Sequence, residues 1–102
     1  MSQGQLQKID DNRYGLTGDL TFQTVPALWK SSELALTSAG EVCLDLCKVE
    51  RFDSSALALL IGWMEVLERK QLTLKLINVP TKMLDIARVS GLDTMLNIHW
   101  QP

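Results

Sequence analysis

Residues 41–57, with the sequence EVCLDLCKVERFDSSAL, contain the transition on which the predicted fold depends. The first half alternates between two sets of side chains, which are Val42, Leu44 and Leu46 on one side and Cys43, Asp45 and Cys47 on the other. This alternation predicts a strand over residues 41–49. Because both sets look suited to burial, we expect a central strand that is covered on both faces.

After this strand, Asp53 or Ser54 is predicted to cap a helix that runs to about Lys70. Asp and Ser are common N-cap residues, and capping stabilises a helix by ~1 kcal/mol without any further function. A second interpretation stays open for Ser54 if it lies exposed in the first turn. Its hydroxyl would then stand at the positive end of the helix dipole, where it could accept a phosphate or bond to a partner.

This helix carries more apolar surface than one contact with a sheet requires. At ~100° per residue, the face predicted to pack on the sheet consists of Leu57, Leu60, Ile61, Met64 and Leu67. A separate apolar stripe consists of Leu59, Trp63 and Val66, and a third strip consists of Ala58, Gly62, Glu65 and Arg69. The apolar stripe is either covered by another part of the domain or forms a partner surface with Trp63 as an anchor. The small residues Ala58 and Gly62 would let a partner approach the helix backbone closely.

Turn and capping residues place the other elements. A hairpin is predicted from strands at residues 6–9 and 13–20, joined by Asp10-Asp11-Asn12. Thr24 is a candidate N-cap for a helix with Pro26 in its first turn, ending near Gly40. A strand at residues 72–77, a helix that opens at 78–81 and closes with Gly91 as a left-handed C-cap, and a short strand at 95–100 complete the chain. The order β-β-α-β-α-β-α-β predicts an α/β domain with a mixed β-sheet and helices packed against it.

Size and composition bound the possible functions. At 102 residues we expect a single domain over 1–102, and 46% hydrophobic with 22% charged residues is typical of a soluble globular protein. A net charge of −2 leaves no positive excess for phosphates, so nucleic acid is not expected as a partner. The longest apolar run, residues 56–64, is shorter than the ~20 residues of a membrane span. We therefore expect no membrane insertion and, without a leader sequence, a cytoplasmic location.

Candidate catalytic and metal-binding groups are few. The single histidine, His99, lies beside the C-terminus, and no glycine-rich phosphate loop or Cys/His ligand spacing is present. Cys43 and Cys47 would stand roughly 13 Å apart on a strand, which is too far for a disulfide, so buried reduced thiols are expected. Asp45 is interpreted as a hydrogen-bonded sheet residue. The sequence predicts no enzyme, cofactor or metal site.

The order and spacing of several motifs resemble STAS domains, the family named for sulphate transporters and anti-sigma factor antagonists. The matching residues are 41–46, Val49 and 52–57, together with Gly18-Asp19-Leu20, Asn78-Val79-Pro80 and Ser90-Gly91-Leu92. These motifs span nearly the whole chain. The resemblance implies the STAS fold.

Within this family, the segments 25–29 (VPALW) and 54–60 (SSALALL), with Trp63, are most similar to the cytoplasmic STAS subunit of maintenance-of-lipid-asymmetry phospholipid ABC transporters. That resemblance implies a non-catalytic subunit that binds the transporter ATPase and is held at the inner membrane through it. Ser54 maps onto a key contact of that subunit. The other expected partner-binding residues are Asp53, Ser55, Ala58, Leu59, Gly62, Trp63 and Val66. Whether Trp29 belongs to the core or the interface stays open, as does self-association into a homo-oligomer.

An alternative follows from the same residue. In anti-sigma factor antagonists this position is the serine that a partner kinase phosphorylates, so Ser54 also fits that branch. Ala56 replaces the glycine usual in the antagonist motif, and the chain ends without the further terminal helix, which favours the transporter branch. A nucleotide-binding domain or enzyme is a third possibility that only the α/β order supports.

Overall fold

The computed structural model describes residues 3–32 and 40–91. Within these ranges the strands are β1 (Gln5–Lys8), β2 (Arg13–Leu20), β3 (Glu41–Phe52) and β4 (Thr73–Ile77). The helices are α1 (Val25–Ser32), α2 (Ser54–Arg69) and α3 (Thr81–Val89). The predicted order is confirmed from the first strand to the third helix. The predicted end of the first helix near Gly40 and the predicted last strand at 95–100 lie wholly or partly outside the described residues.

The four described strands form one sheet in the order β1-β2-β3-β4. β1 and β2 are antiparallel and form the predicted hairpin, whereas β2, β3 and β4 are parallel neighbours. Each parallel pair is joined through a helix, α1 between β2 and β3 and α2 between β3 and β4, as a parallel connection requires. The sheet is therefore mixed, as predicted.

Only one face of this sheet is buried. Alternate residues on the three parallel strands pack with the helices into one core, namely Tyr14, Leu16 and Leu20, then Val42, Leu44 and Leu46, then Leu74 and Leu76. On the opposite face Cys43 and Asp45 are half-buried and Cys47 is exposed. The expectation that both faces of β3 are covered was therefore wrong. Cysteines resemble small apolar residues in a sequence pattern, which made an alternating strand look like a central one.

Helix α2 is the centre of the helical layer. It contacts β4 on the sheet and lies against both α1 and α3. Ala56, Leu57, Leu59, Leu60, Trp63, Met64 and Leu67 are all buried along it. A helix flanked by neighbours on several sides can bury more than one stripe, which explains its surplus of apolar surface.

The residues that flank the helices and strands agree in part with the predictions from the sequence. Gly91 follows α3 with φ +74°, the left-handed conformation predicted for it, and Gly40 before β3 has φ +85°. Thr24 precedes α1 as expected. Its hydroxyl accepts a hydrogen bond from the Thr21 N–H (3.0 Å) and donates one to the Asp19 carbonyl (2.6 Å). Thr24 thus fixes the β2–α1 connection.

Two further properties bear on function. Both cysteines are free, and their partial or full exposure corrects the expectation of buried thiols. None of the described helices has the length and apolar character needed to cross a membrane.

Candidate functional site

The carboxyl ends of β2 and β3 meet at one edge of the sheet, where both strands lead into helices. Leu20 and Phe52 are partners in the register, and the Asp53 N–H donates to the Leu20 carbonyl at 3.2 Å. The loop before α1 and the first turn of α2 are therefore adjacent. We call this region the helix-start edge, defined by residues 21–26 and 53–58.

Asp53 connects the two halves of the helix-start edge. Its Oδ1 accepts a hydrogen bond from the Ser55 N–H at 2.8 Å, which caps α2 as predicted. Its Oδ2 accepts a second hydrogen bond, from the Phe22 N–H at 3.1 Å. One carboxylate thus satisfies the start of α2 and holds the β2–α1 loop against it.

Ser54 occupies the first position of α2 and is exposed, whereas Ser55 is half-buried. The first turn of α2 contains no acidic residue, and the Asp53 carboxylate at the N-cap supplies the negative charge at this positive end of the helix dipole. Because the Ser54 hydroxyl is exposed, it is accessible for a hydrogen bond with a partner or for the attachment of a phosphate.

An apolar groove runs between α1 and α2 beside Ser54. Its volume is about 270 Å³, and it is lined by Val25, Pro26, Trp29, Ala58, Leu59 and Gly62. Three of these residues, Ala58, Leu59 and Gly62, were predicted as partner contacts from the helix wheel. The groove is open to solvent at Pro26 and Ala58, which are exposed, while the Leu59 side chain forms part of its floor and is only 2% exposed.

Gly62 accommodates a residue of the same chain. A β-carbon placed on Gly62 would lie 2.9 Å from Cζ3 and 3.1 Å from Cη2 of Trp29. The expectation that Gly62 admits a partner backbone is therefore corrected, because the indole ring of Trp29 already occupies that space. Trp29 is half-buried and belongs to both the core and the wall of the groove.

The predicted apolar stripe is divided by the structure. Trp63 is fully buried and Leu59 nearly so, whereas Val66 is half-buried. The sequence left open whether this stripe is covered by the same domain or forms a partner surface. The structure shows that the domain itself covers Trp63, so Trp63 cannot touch a partner in this conformation. Among the described residues, its indole N–H is a buried donor without a hydrogen-bond partner.

Sequence reasoning missed Phe22, which is 69% exposed on the β2–α1 loop. No periodic pattern marks it, since it lies in a turn between a strand and a helix. A large apolar residue in a polar turn was the available signal. Together with Ser54, it gives the helix-start edge an aromatic and a hydroxyl group that are both accessible.

A separate polar cluster lies on the open face of the sheet. Asp45 Oδ1 accepts hydrogen bonds from the Cys47 N–H at 2.9 Å and from Asn78 Nδ2 at 3.1 Å. Partial burial raises the pKa of Asp45, but these bonds, the Cys47 thiol and the charge of Arg13 together lower it below its usual value. The hydrogen bond to Asp45, with some burial and the carboxylate charge, raises the pKa of Cys47. The Asp45–Asn78 hydrogen bond links β3 to the residue that follows β4. The described residues contain no group of acidic, Cys or His side chains suited to a metal ion.

The fold is similar to that of solved anti-sigma factor antagonists. The unphosphorylated form of the antagonist SpoIIAA superposes with a TM-score of 0.60 at 19% identity, covering 83% of this chain and 81% of that one. The phosphorylated form of SpoIIAA, described as a Bacillus cell fate determinant, gives a TM-score of 0.65 at 19% identity, covering 96% and 88%. No curated protein sequence matches the chain.

A family model described as "Mlab, STAS domain" matches residues 9–97. This match includes the parallel strands, α1 to α3 and the whole helix-start edge. The resemblance inferred from the sequence motifs is confirmed, and so is the mixed α/β fold. The chain therefore belongs to the Mlab family of STAS domains.

Proposed function

We propose that this protein is a non-catalytic STAS subunit that docks onto the ATPase of a phospholipid ABC transporter. In this role it supports assembly and activity of the complex in lipid transport between membranes. It acts in the cytoplasm and reaches the inner membrane through its partner. The proposal draws on family membership together with the surface around Ser54.

The observation that carries the proposal is the exposure of Ser54 beside an apolar groove. Ser54 is the position that the resemblance assigns to ATPase contact, and it is accessible at the start of α2. The groove next to it offers apolar area that a partner side chain can fill. A polar contact next to an apolar depression is the arrangement that protein interfaces use for specificity and affinity together.

The roles of the other predicted residues follow from their positions. Asp53 and Ser55 maintain the start of α2, and Ala58 and Leu59 supply groove surface. Trp29 forms a groove wall while its ring rests on Gly62. Val66, half-buried beyond the groove, is a peripheral contact.

Reconstitution tests this function directly. The purified chain is mixed with the ATPase of the phospholipid transporter from the same cells, and the mixture is analysed by size-exclusion chromatography and by ATP turnover. We expect co-elution and a higher rate of ATP turnover than with the ATPase alone. Separate elution with unchanged turnover would contradict the proposal.

The exposed Ser54 hydroxyl also favours a second candidate, an anti-sigma factor antagonist controlled by phosphorylation of Ser54. Phosphate would add about −1.5 to −2 charge at this position. Intact-mass measurement on protein isolated from its native cells distinguishes the two functions. A phosphoform that changes with growth state and maps to Ser54 would support the antagonist, and its absence in all growth states would argue against it.

A further inference from the structure

Building on the proposed docking function, we propose that Phe22 is the apolar anchor of the interface and that Asp53 is the residue that positions it. Phe22 would insert into an apolar pocket on the ATPase while Ser54, next in sequence to Asp53, makes its polar contact. Neither the helix wheel nor the family motifs assign a role to Phe22.

Phe22 is the large apolar side chain that is accessible at the helix-start edge. Its side chain is 69% exposed at the same edge as the exposed apolar residues Pro26 and Ala58, and accessible apolar side chains that lie together mark candidate interaction sites. Two other large apolar residues are exposed in the described chain, Ile9 at 55% and Val89 at 90%. Ile9 lies by the β1–β2 turn and Val89 ends α3, so only Phe22 lies at the helix-start edge. Aromatic residues are also enriched among the side chains that dominate interface affinity.

The surface around Phe22 at the helix-start edge is uncharged. The exposed residues of the helix-start edge are Phe22, Gln23, Pro26, Ser54 and Ala58, and none of them is charged. The carboxylate of Asp53 is half-buried and already accepts two hydrogen bonds. Depletion of charge around an aromatic side chain is characteristic of the centre of protein–protein interfaces.

The same composition decides the class of partner. A lipid headgroup layer or a nucleic acid would require Lys or Arg side chains to neutralise phosphates. The exposed residues of the helix-start edge include no cation. The exposed aromatic side chain and the exposed hydroxyl instead match a protein partner that offers an apolar pocket for Phe22 and a polar group for Ser54.

Asp53 determines where Phe22 stands. The β2–α1 loop turns at residues 21–24, where the Thr24 and Val25 N–H groups both donate to the Thr21 carbonyl. The Phe22 N–H donates outward to Asp53 Oδ2, across 31 residues of sequence. Because Ser54 follows Asp53 directly, this hydrogen bond holds the backbone at Phe22 in place relative to Ser54. Preorganisation of this kind reduces the entropic cost of binding.

Affinity measurements test the anchor. Equilibrium binding to the purified ATPase is compared for the wild type, Phe22→Ala, and the matched exposed variants Ile9→Ala and Val89→Ala. Burial of a phenylalanine side chain corresponds to at least about a tenfold change in affinity. We expect Phe22→Ala to weaken binding by that factor and the two control variants to remain within about twofold of the wild type. Circular dichroism and thermal unfolding confirm that each variant is folded.

The outcomes separate this inference from the proposed function. If the wild type binds and Phe22→Ala binds equally well, the anchor role is wrong while the docking function stands. If the wild type does not bind the ATPase, the docking function fails and the anchor role fails with it. If Phe22→Ala instead converts a wild-type dimer into a monomer without changing ATPase affinity, the occupant is a second copy, and the inference is overturned.

A double-variant cycle tests the positioning role of Asp53. Asp53→Asn keeps one carbonyl oxygen for the cap on Ser55 but has an amide in place of the second acceptor, so the Phe22 loop loses its tether. We expect Asp53→Asn to weaken binding, and Phe22→Ala to have a smaller effect in that background than in the wild type. Independent, multiplicative effects would show that Asp53 supports only the fold.

Discussion

The indole ring of Trp29 on α1 packs directly over Gly62 on α2. A β-carbon at Gly62 would stand 2.9 Å from Cζ3 of Trp29, closer than such atoms approach without displacement. This contact sets the separation of the two helices at the point where the apolar groove lies. The groove therefore depends on the absence of a side chain at position 62.

Gly62→Ala tests this contact. In an ordinary exposed helix position the substitution would stabilise by about 1 kcal/mol, because glycine is a poor helix former. Here the methyl group must displace a large ring, and overpacking costs about 1–3 kcal/mol. We expect a net loss of stability in urea unfolding. In a Trp29→Leu background the same substitution should be neutral or stabilising, and a loss of equal size in both backgrounds would contradict the contact.

Trp63→Phe tests whether Trp63 belongs to the core or to the interface. Trp63 is fully buried, so replacement by the smaller ring should lower stability, by about 1–3 kcal/mol, through lost packing. Loss of the buried, unpartnered N–H offsets part of this cost. We expect affinity for the ATPase to stay within about twofold of the wild type, because the residue does not reach the surface. A folded variant with tenfold weaker binding would place Trp63 at the interface instead.

Asp45→Asn tests the pH dependence of stability. The pKa of Asp45 is lowered in the folded protein, so its ionised form stabilises the fold above the unfolded pKa and this contribution is lost as pH falls through the folded value. Because Asp45 is half-buried, we expect a loss of only about 0.5–1 kcal/mol in the variant at pH 7. The difference between the two proteins should shrink below pH 3.8, the ordinary value for this group. Unfolding curves at pH 7, 5 and 3 measure this, and a constant difference would contradict the assignment.

The reactivity of Cys47 gives a second test of the same cluster. Its thiol is exposed, yet its raised pKa keeps the reactive thiolate scarce near neutral pH. In a Cys43→Ser chain, where Cys47 is the remaining thiol, Asp45→Asn should accelerate alkylation by iodoacetamide severalfold at pH 8. A Cys47→Ser chain reports Cys43 as the control and should change less. Equal acceleration of both thiols would indicate general loosening of the strand.

The sequence predicted the order of the described elements because its local signals were strong and agreed with one another. The structure confirms three of these signals. They are the Asp53 cap at the start of α2, the strand alternation at residues 42–46, and the left-handed Gly91 after α3. Helical periodicity placed Ala58 and Gly62 on one strip and Leu59 on a neighbouring stripe, and the structure brings all three to the wall of the groove.

The remainder depended on contacts that the linear pattern does not contain. To predict the burial of Trp63, one must know that α1 and α3 flank α2. To predict the exposure of Cys47, one must know that one face of the sheet is open. The role of Gly62 depends on Trp29, which lies 33 positions earlier in the chain. The tether from Phe22 to Asp53 is long-range in the same way. Tertiary packing, and not local propensity, determined each of these features.

We propose that the exposed Ser54 at the helix-start edge contacts the transporter ATPase. Isothermal titration of the purified ATPase with Ser54→Arg tests this most directly. Ser90→Arg is the matched control, because Ser90 is also exposed but lies at the C-cap of α3. A bulky cation at the centre of an uncharged interface should weaken binding at least about tenfold, whereas Ser90→Arg should bind like the wild type. Undiminished binding by a correctly folded Ser54→Arg variant would contradict a contact between Ser54 and the ATPase.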